Sequence, residues 1–286
     1  MTLIAADDRN ADQVAYWNGP SGERWRARQQ DQDILLAPVA DLLLQRAAPS
    51  AGEAVLDVGC GCGFTSIELA RRVMPGGRVL GVDISAPMLQ RARERTPAGL
   101  PVDFIMADAT AYGFEPGAAD LLFSRFGVMF FAEPQRSFTN MRRGLRSGAR
   151  LAFACWREPK KNPWLLVPFE EVCRHVPRPP ATAPEEPGPF AFADERRVRD
   201  ILGGAGFREI RLEAVELSLD IGLGRGLESA VDAAAAIGPA SRALEGQPPD
   251  VRAAAVDSIR AALRRYQAGS VVALPGEIWI VSATNP

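Results

Sequence analysis

Two carboxylates and a run of alternate glycines are the residues of this chain best suited, by type and spacing, to chemistry. Gly59-Cys60-Gly61-Cys62-Gly63 puts glycine at every second position, which lets the backbone turn tightly and brings a ligand close to its N–H groups. Asp83 lies 20 residues past Gly63, the distance at which an acidic side chain reaches the two hydroxyls of a ribose. Asp57 stands two residues before the first glycine. A pyrophosphate on the loop gains nothing from a negative charge there, whereas a cationic amino acid moiety does. The pattern is G-x-G-x-G, not the G-x-G-x-x-G of dinucleotide enzymes. The sole histidine, His175, is one candidate general base, although a lone histidine among prolines reads equally as a surface residue; Tyr16 is a second candidate.

A strand, a turn and a helix are needed to hold these groups. Residues 54–58 form a short apolar run, and Phe64, Ile67, Ala70 and Val73 recur at threes, a helical face. The second strand is 78–83. Ser85 caps a helix opening at Pro87 and reaching about Arg95, and strands follow at 101–107, 119–124 and 149–156. A helix from Pro134, one at 195–202, a strand at 208–219, helices at 227–237 and 251–266, and a last strand at 278–282 complete the alternation. A further helix begins at Ile34 with Pro38 near its start. This order predicts an α/β, Rossmann-like, seven-stranded doubly wound sheet.

Asp57-Val58-Gly59-Cys60-Gly61-Cys62-Gly63, Gly81-Val82-Asp83-Ile84-Ser85 and Ala107-Asp108-Ala109 together resemble the class I S-adenosylmethionine-dependent methyltransferases, especially the ubiquinone/menaquinone C-methylase-like branch, over about residues 50–156. The turn at 143–149 also resembles that family's R-x-L-x-x-G-G, with Ala149 in place of the last glycine. The resemblance implies S-adenosylmethionine as cofactor and S-adenosylhomocysteine as product. It implies that Asp57 faces the amino acid end, that Gly59, Cys60, Gly61 and Gly63 shape the loop, and that Asp83 holds the ribose. Ile84 and Met88 would pack on the adenine, Asp108 would bond its amino group with Ala109 alongside, and Ser124, Arg125 and Phe126 would close the set. For Met88 a core role, and for Asp108 a strand-end cap, explain the residue without a ligand.

The remaining sequence supplies a cover. Tyr16, Trp17 and Trp25 lie in an aromatic N-terminal segment, read either as a buried arm or as a lid. Met129 and Phe130 follow the fourth strand, where ligands of open α/β sheets bind, and Trp164 starts a short helix, to Arg174, inside a proline-rich insertion. We therefore divide the chain into an arm and lid (1–33), a cofactor-binding core (34–156), a proline-rich substrate cover (157–193), a core helix and strand (194–221), a helical cover (222–270) and the last core strand (271–286). The apolar face of the helical cover suits a substrate pocket or a homodimer interface.

With 33 basic and 35 acidic residues among 286, the chain has no field that would draw it to nucleic acid or an anionic membrane. Its four cysteines include no C-x-x-C pair, so no metal is expected, and a reducing compartment follows. With no apolar leader and only two lysines, a soluble, cytoplasmic, bacterial enzyme acting on a small apolar or aromatic molecule is expected. Two rivals remain: a nicotinamide-dependent oxidoreductase, which leaves Asp57 unexplained, and a non-catalytic partner subunit that keeps the fold.

Overall fold

The computed structural model describes residues 7–180, 183 and 185–286; expectations for residues 1–6, 181, 182 and 184 lie outside the described residues. The centre of the sheet is β1 (Ala54–Val58), where Val55, Leu56, Asp57 and Val58 are all buried. It pairs in parallel with β2 (Arg78–Asp83) on one side. The chain then adds β3 (Val102–Met106) outside β2 and crosses back to lay β4 (Ala119–Arg125) on the other side of β1. β5 (Leu145–Trp156) follows outside β4. β6 (Arg208–Asp220) ends the sheet, with β8 (Val271–Thr284) inserted antiparallel between β5 and β6. The order is 3-2-1-4-5-8-6, and a two-residue strand, β7 (Gln267–Ala268), pairs off the path with β8. The seven-stranded doubly wound sheet expected from the sequence is thus present. Its strand order reverses between β1 and β4, and the crevice at their carboxyl ends is where such sheets take ligands.

Helices α1 (Ala11–Asn18) and α2 (Pro20–Ala27) form the arm. α3 (Gln29–Ala47), α4 (Phe64–Val73), α5 (Ala86–Arg95) and α6 (Pro134–Arg143) flank the parallel strands. α7 (Pro163–Val172) lies in the proline-rich insertion, and α8 (Glu195–Gly204) precedes β6. α9 (Leu227–Ala236), α10 (Gly238–Ala243) and α11 (Pro249–Leu263) form the second insertion. Three local expectations need correction. α3 starts at Gln29, so Pro38 sits mid-helix and the arm boundary at 33 falls inside the helix. The early turn is invisible to hydrophobic periodicity because its buried positions are Gln29, Gln32 and Asp33. Pro38 is tolerated because it is exposed and the Ile34 that loses its donor is 60% exposed, leaving the freed carbonyl to water. The second insertion has three helices where two were expected, and the last strand runs for 14 residues.

The proline-rich segment is anchored to the core. Phe192 is buried against Phe153 and Phe138, with ring centroids at 5.9 and 6.2 Å, and the Trp279 indole donates to the Ala193 carbonyl at 2.8 Å. Burying one such ring stabilises by roughly 1.5–3 kcal/mol, so this cover is tied down at its C-terminal end. α7 packs against α10 and α11. The apolar faces of the two insertions therefore meet each other, and together they roof the crevice.

Candidate active site

The glycine loop is held from beneath. Gly59 and Cys60 donate their N–H groups to the Val82 carbonyl at 2.8 and 3.3 Å, and Gly63, the α4 cap at φ +80°, donates to Cys60 at 2.9 Å. Gly59 has φ +67°, and a Cβ there would stand 2.5 Å from the Gly127 Cα. Two backbones touch at this point, so a side chain has nowhere to go. Gly127 follows Phe126, a non-glycine residue at φ +66° that stacks on Trp156 at 4.3 Å with the planes 9° apart. The Ser124 hydroxyl accepts from the Gly127 N–H at 3.2 Å. The turn after β4 is thereby fixed against the loop after β1.

Asp83 accepts from the Gly61 N–H and the Ser85 N–H, both at 2.8 Å. Burial raises its pKa, opposed by those N–H donors. It lines a cavity of about 620 Å³, within the range of small-molecule sites. Asp57 does not line it, which corrects the expectation that its carboxylate faces a ligand directly. Its side chain is fully buried behind the loop, where Oδ2 accepts from Thr65 Oγ1 at 2.7 Å and Ser66 Oγ at 2.6 Å, while Oδ1 has no partner. Its role is to hold the first turn of α4. Burial pushes its pKa up to about 6, against the pull of Ser66, Thr65 and the Arg125 charge.

A pH dependence follows. The ordinary aspartate value is 3.8, so between about pH 4 and pH 6 the folded chain keeps a proton that the unfolded chain has released. The stability due to this group is complete below that window and falls, by up to about 3 kcal/mol, as pH rises through it. Asp57→Asn should be less pH-dependent than wild type over this interval in denaturant unfolding; curves of equal slope would reject the protonated assignment.

The arm closes one end of the cavity. The Asp108 carboxylate accepts from the Asp7 N–H at 3.0 Å, from Asn10 Nδ2 at 2.8 and 3.0 Å, and from the Thr110 N–H at 2.8 Å. Asn10 Oδ1 in turn accepts from the Ala132 N–H at 3.0 Å. Further along, Asn18 bonds both the Ile84 carbonyl and the Ala86 N–H at 2.9 Å, and the Ser85 hydroxyl donates to the Trp17 carbonyl at 2.7 Å. Between these fastenings Trp17 meets Phe130 edge-on at 5.1 Å and Trp25 at 6.1 Å.

Gly59, Cys60, Gly61, Asp83, Ile84, Met88, Asp108, Ala109, Arg125 and Phe126 all line the one cavity, as do Tyr16, Trp17, Trp25, Met129, Phe130 and Trp164; Asp57, Gly63 and Ser124 stand behind it. His175 does not reach it. That residue is exposed, with Nε2 2.7 Å from Ser258 Oγ, because the end of α7 points it toward α11; the candidate base is a surface contact. Tyr16 does line the cavity, but its hydroxyl is engaged by Arg242 at 3.1 Å, with the guanidinium 4.9 Å above the ring. Sequence reasoning missed Asn10, Gln29, Gln32, Asp33 and Arg242. Arg242 is 226 positions from Tyr16 and carries no local signal, whereas a polar triplet beginning an otherwise apolar helix marks Gln29, Gln32 and Asp33. Among the described residues no group of His, Cys, Asp and Glu could hold a metal ion.

Residues 55–148 match the family described as "Methyltransferase domain". Over these residues the chain is similar to a methyltransferase domain. The matched span runs from β1 to the turn inside β5 and so contains the loop, Asp83, Asp108 and the strained turn after β4. The chain is 40% identical over 181 residues to trans-aconitate 2-methyltransferase of Paracidovorax citrulli, covering 63% of each. It is 34% identical over 145 residues to demethylmenaquinone methyltransferase of Thermus thermophilus, covering 50% of this chain and 59% of that one. The chain thus spans about three-fifths of the length of these curated relatives. Geranyl diphosphate C-methyltransferase from Streptomyces coelicolor shares the fold, with a TM-score of 0.54 at 16% identity over 98% of this chain and 100% of that one.

Proposed function

We propose that this protein is an S-adenosylmethionine-dependent methyltransferase acting on a small molecule with an apolar or aromatic body, in the bacterial cytoplasm. The observation that carries the reading is that the glycine loop and Asp83 open into the same cavity as an aromatic roof, within a methyltransferase domain. The cofactor, when bound, supplies a methyl group on a sulfonium, activated enough that alignment and exclusion of water can carry much of the rate. Asp83 accepts from the ribose hydroxyls, Ile84 and Met88 flank the base, and Ala109 lies beside it. Asp108 reaches the base through the arm, since its oxygens are already engaged by Asp7 and Asn10. The loop around Gly59 and Gly61 holds the amino acid end, with Asp57 bracing α4 from behind. Trp17, Phe130 and Phe126 offer aromatic faces that attract a cation. Relatives named for a tricarboxylate and for a quinone fit one cofactor core with different covers, and the bacterial sources of both, with no described helix long and apolar enough to cross a membrane, support the setting. α9 to α11 are engaged within the chain, which favours the pocket role over a homodimer interface.

Isothermal titration with S-adenosylmethionine, S-adenosylhomocysteine and NADH tests the reading. Micromolar binding of the first two and none of the third is expected; the reverse would transfer the site to a nicotinamide cofactor.

A further inference from the structure

The cavity holds a cation that no hydrogen bond or ion pair among the described residues engages, although the charges of Asp33 and Asp57 lie within electrostatic reach. Arg125 lines it, yet its guanidinium makes no hydrogen bond and no ion pair among the described residues, and Nη1 is shut off from solvent without a partner. Its guanidinium carbon lies 5.3 Å from the centre of the Phe64 ring. The side chain leaves the turn that Phe126, Ser124 and Gly127 lock, so it is held in place before any ligand arrives. An unpaired buried charge is costly, and a guanidinium is shaped for the two oxygens of a carboxylate or for a single oxyanion. Trp164, which also lines the cavity, adds a second unmet donor: its indole N–H is buried and has no acceptor.

The proton inventory points the same way. His175 is outside the cavity. Burial raises the Cys60 thiol well above its usual value and the Cys62 thiol to about 12. Asp108 is saturated, and Asp33 is paired with Arg95 at 2.5 Å. Asp83 is held by the Gly61 and Ser85 N–H groups, which leaves the exposed Glu186 as the lining carboxylate not engaged in this way. The sulfonium would put a second cation into this apolar space, while the cofactor's own ammonium and carboxylate cancel each other.

We propose that the acceptor is an organic acid on an apolar body, a carboxylic acid or an acidic phenol or enol that enters already ionised, and that Arg125 and the Trp164 N–H receive its oxyanion. The inference rests on the methyltransferase reading. In the reaction the oxyanion forms the new O–CH₃ bond as the C–S bond breaks with its electron pair passing to sulfur. One negative and one positive charge disappear, and no proton is moved. The step therefore needs no general base. It also makes Arg125 a selectivity filter against neutral molecules of the same shape.

The test uses matched probes on the full chain saturated with S-adenosylhomocysteine: 1-naphthoate against 1-naphthamide, and 4-nitrophenol against 4-methylphenol, followed by calorimetry. At neutral pH the acidic member of each pair should bind about tenfold tighter or more. Arg125→Met should erase that preference, and Arg125→Lys should keep part of it. Equal binding within each pair, or no anion bound at millimolar concentration, overturns the proposal. So does a loss of S-adenosylhomocysteine affinity in Arg125→Met that its decarboxylated analogue does not share, because the guanidinium would then serve the cofactor's carboxylate. Failure of wild type to bind S-adenosylhomocysteine at all sinks the methyltransferase reading instead.

Discussion

Gly59→Ala should lower the stability of the folded chain by about 4 kcal/mol and abolish cofactor binding. Two costs add. A side chain at φ +67° sits in the left-handed region, worth about 1–2 kcal/mol for a non-glycine residue. The new methyl would also stand 2.5 Å from the Gly127 Cα, a backbone atom that cannot rotate away, so β1 and β4 must part where the ligand crevice opens. Gly61→Ala is the internal control. Gly61 also has positive φ, +54°, but its nearest neighbour would be the Met88 sulfur at 3.8 Å, so only the conformational cost of about 1 kcal/mol applies. Denaturant midpoints of the two variants measure the difference; equal losses would show that the contact with Gly127 is not what requires glycine.

Asp83→Ala should weaken S-adenosylhomocysteine binding about 100-fold or more, since two hydrogen bonds to a charged acceptor are each worth about 1.5–3 kcal/mol. The fold should survive, because the carboxylate is itself destabilised by burial. The loss has two sources: the ribose loses its acceptor, and the Gly61 and Ser85 N–H groups lose theirs, which loosens the loop. Asp83→Asn separates them. It keeps one carbonyl oxygen for the loop but offers the ribose a neutral group, and its affinity should fall between wild type and alanine. Calorimetric titration within threefold of wild type for Asp83→Ala would remove the ribose role from this residue.

The parts of the site that could be read in advance are those whose signal is local. Three glycines, an aspartate at the end of the next strand and alternating apolar runs lie close together in the chain, and the fold class followed from them. What escaped the sequence depends on direction or on distance. Nothing in the run Leu56-Asp57-Val58 says that the carboxylate points at α4 rather than at the crevice; that is set by how the helix lies on the strand. Asp108 was legible as an acidic residue at a strand end, but its capture by Asn10 joins positions 98 apart through a single amide. The isolation of Arg125 is a property of what surrounds it, and an arginine that lacks a partner looks in sequence like any other. His175 shows the converse: a residue type rich in chemical meaning, placed by its helix where that chemistry has no use.

The position of β8 constrains how the molecule is made. Residues 271–284 come after β5 and β6 in chain order, yet they lie inside the sheet, joining β5 to β6. Until residue 284 is free, one edge of β5 and the whole of β6 have backbone groups with no strand to meet. Segments exposed in this way are prone to pair with other chains, and contacts spanning more than a hundred residues form slowly. Both covers hang from these strands, the first leaving β5 and the second lying between β6 and β8. The strands from β1 to β4 can therefore pair before β8 is made, while the roof over the crevice is assembled only once β8 has joined β5 to β6.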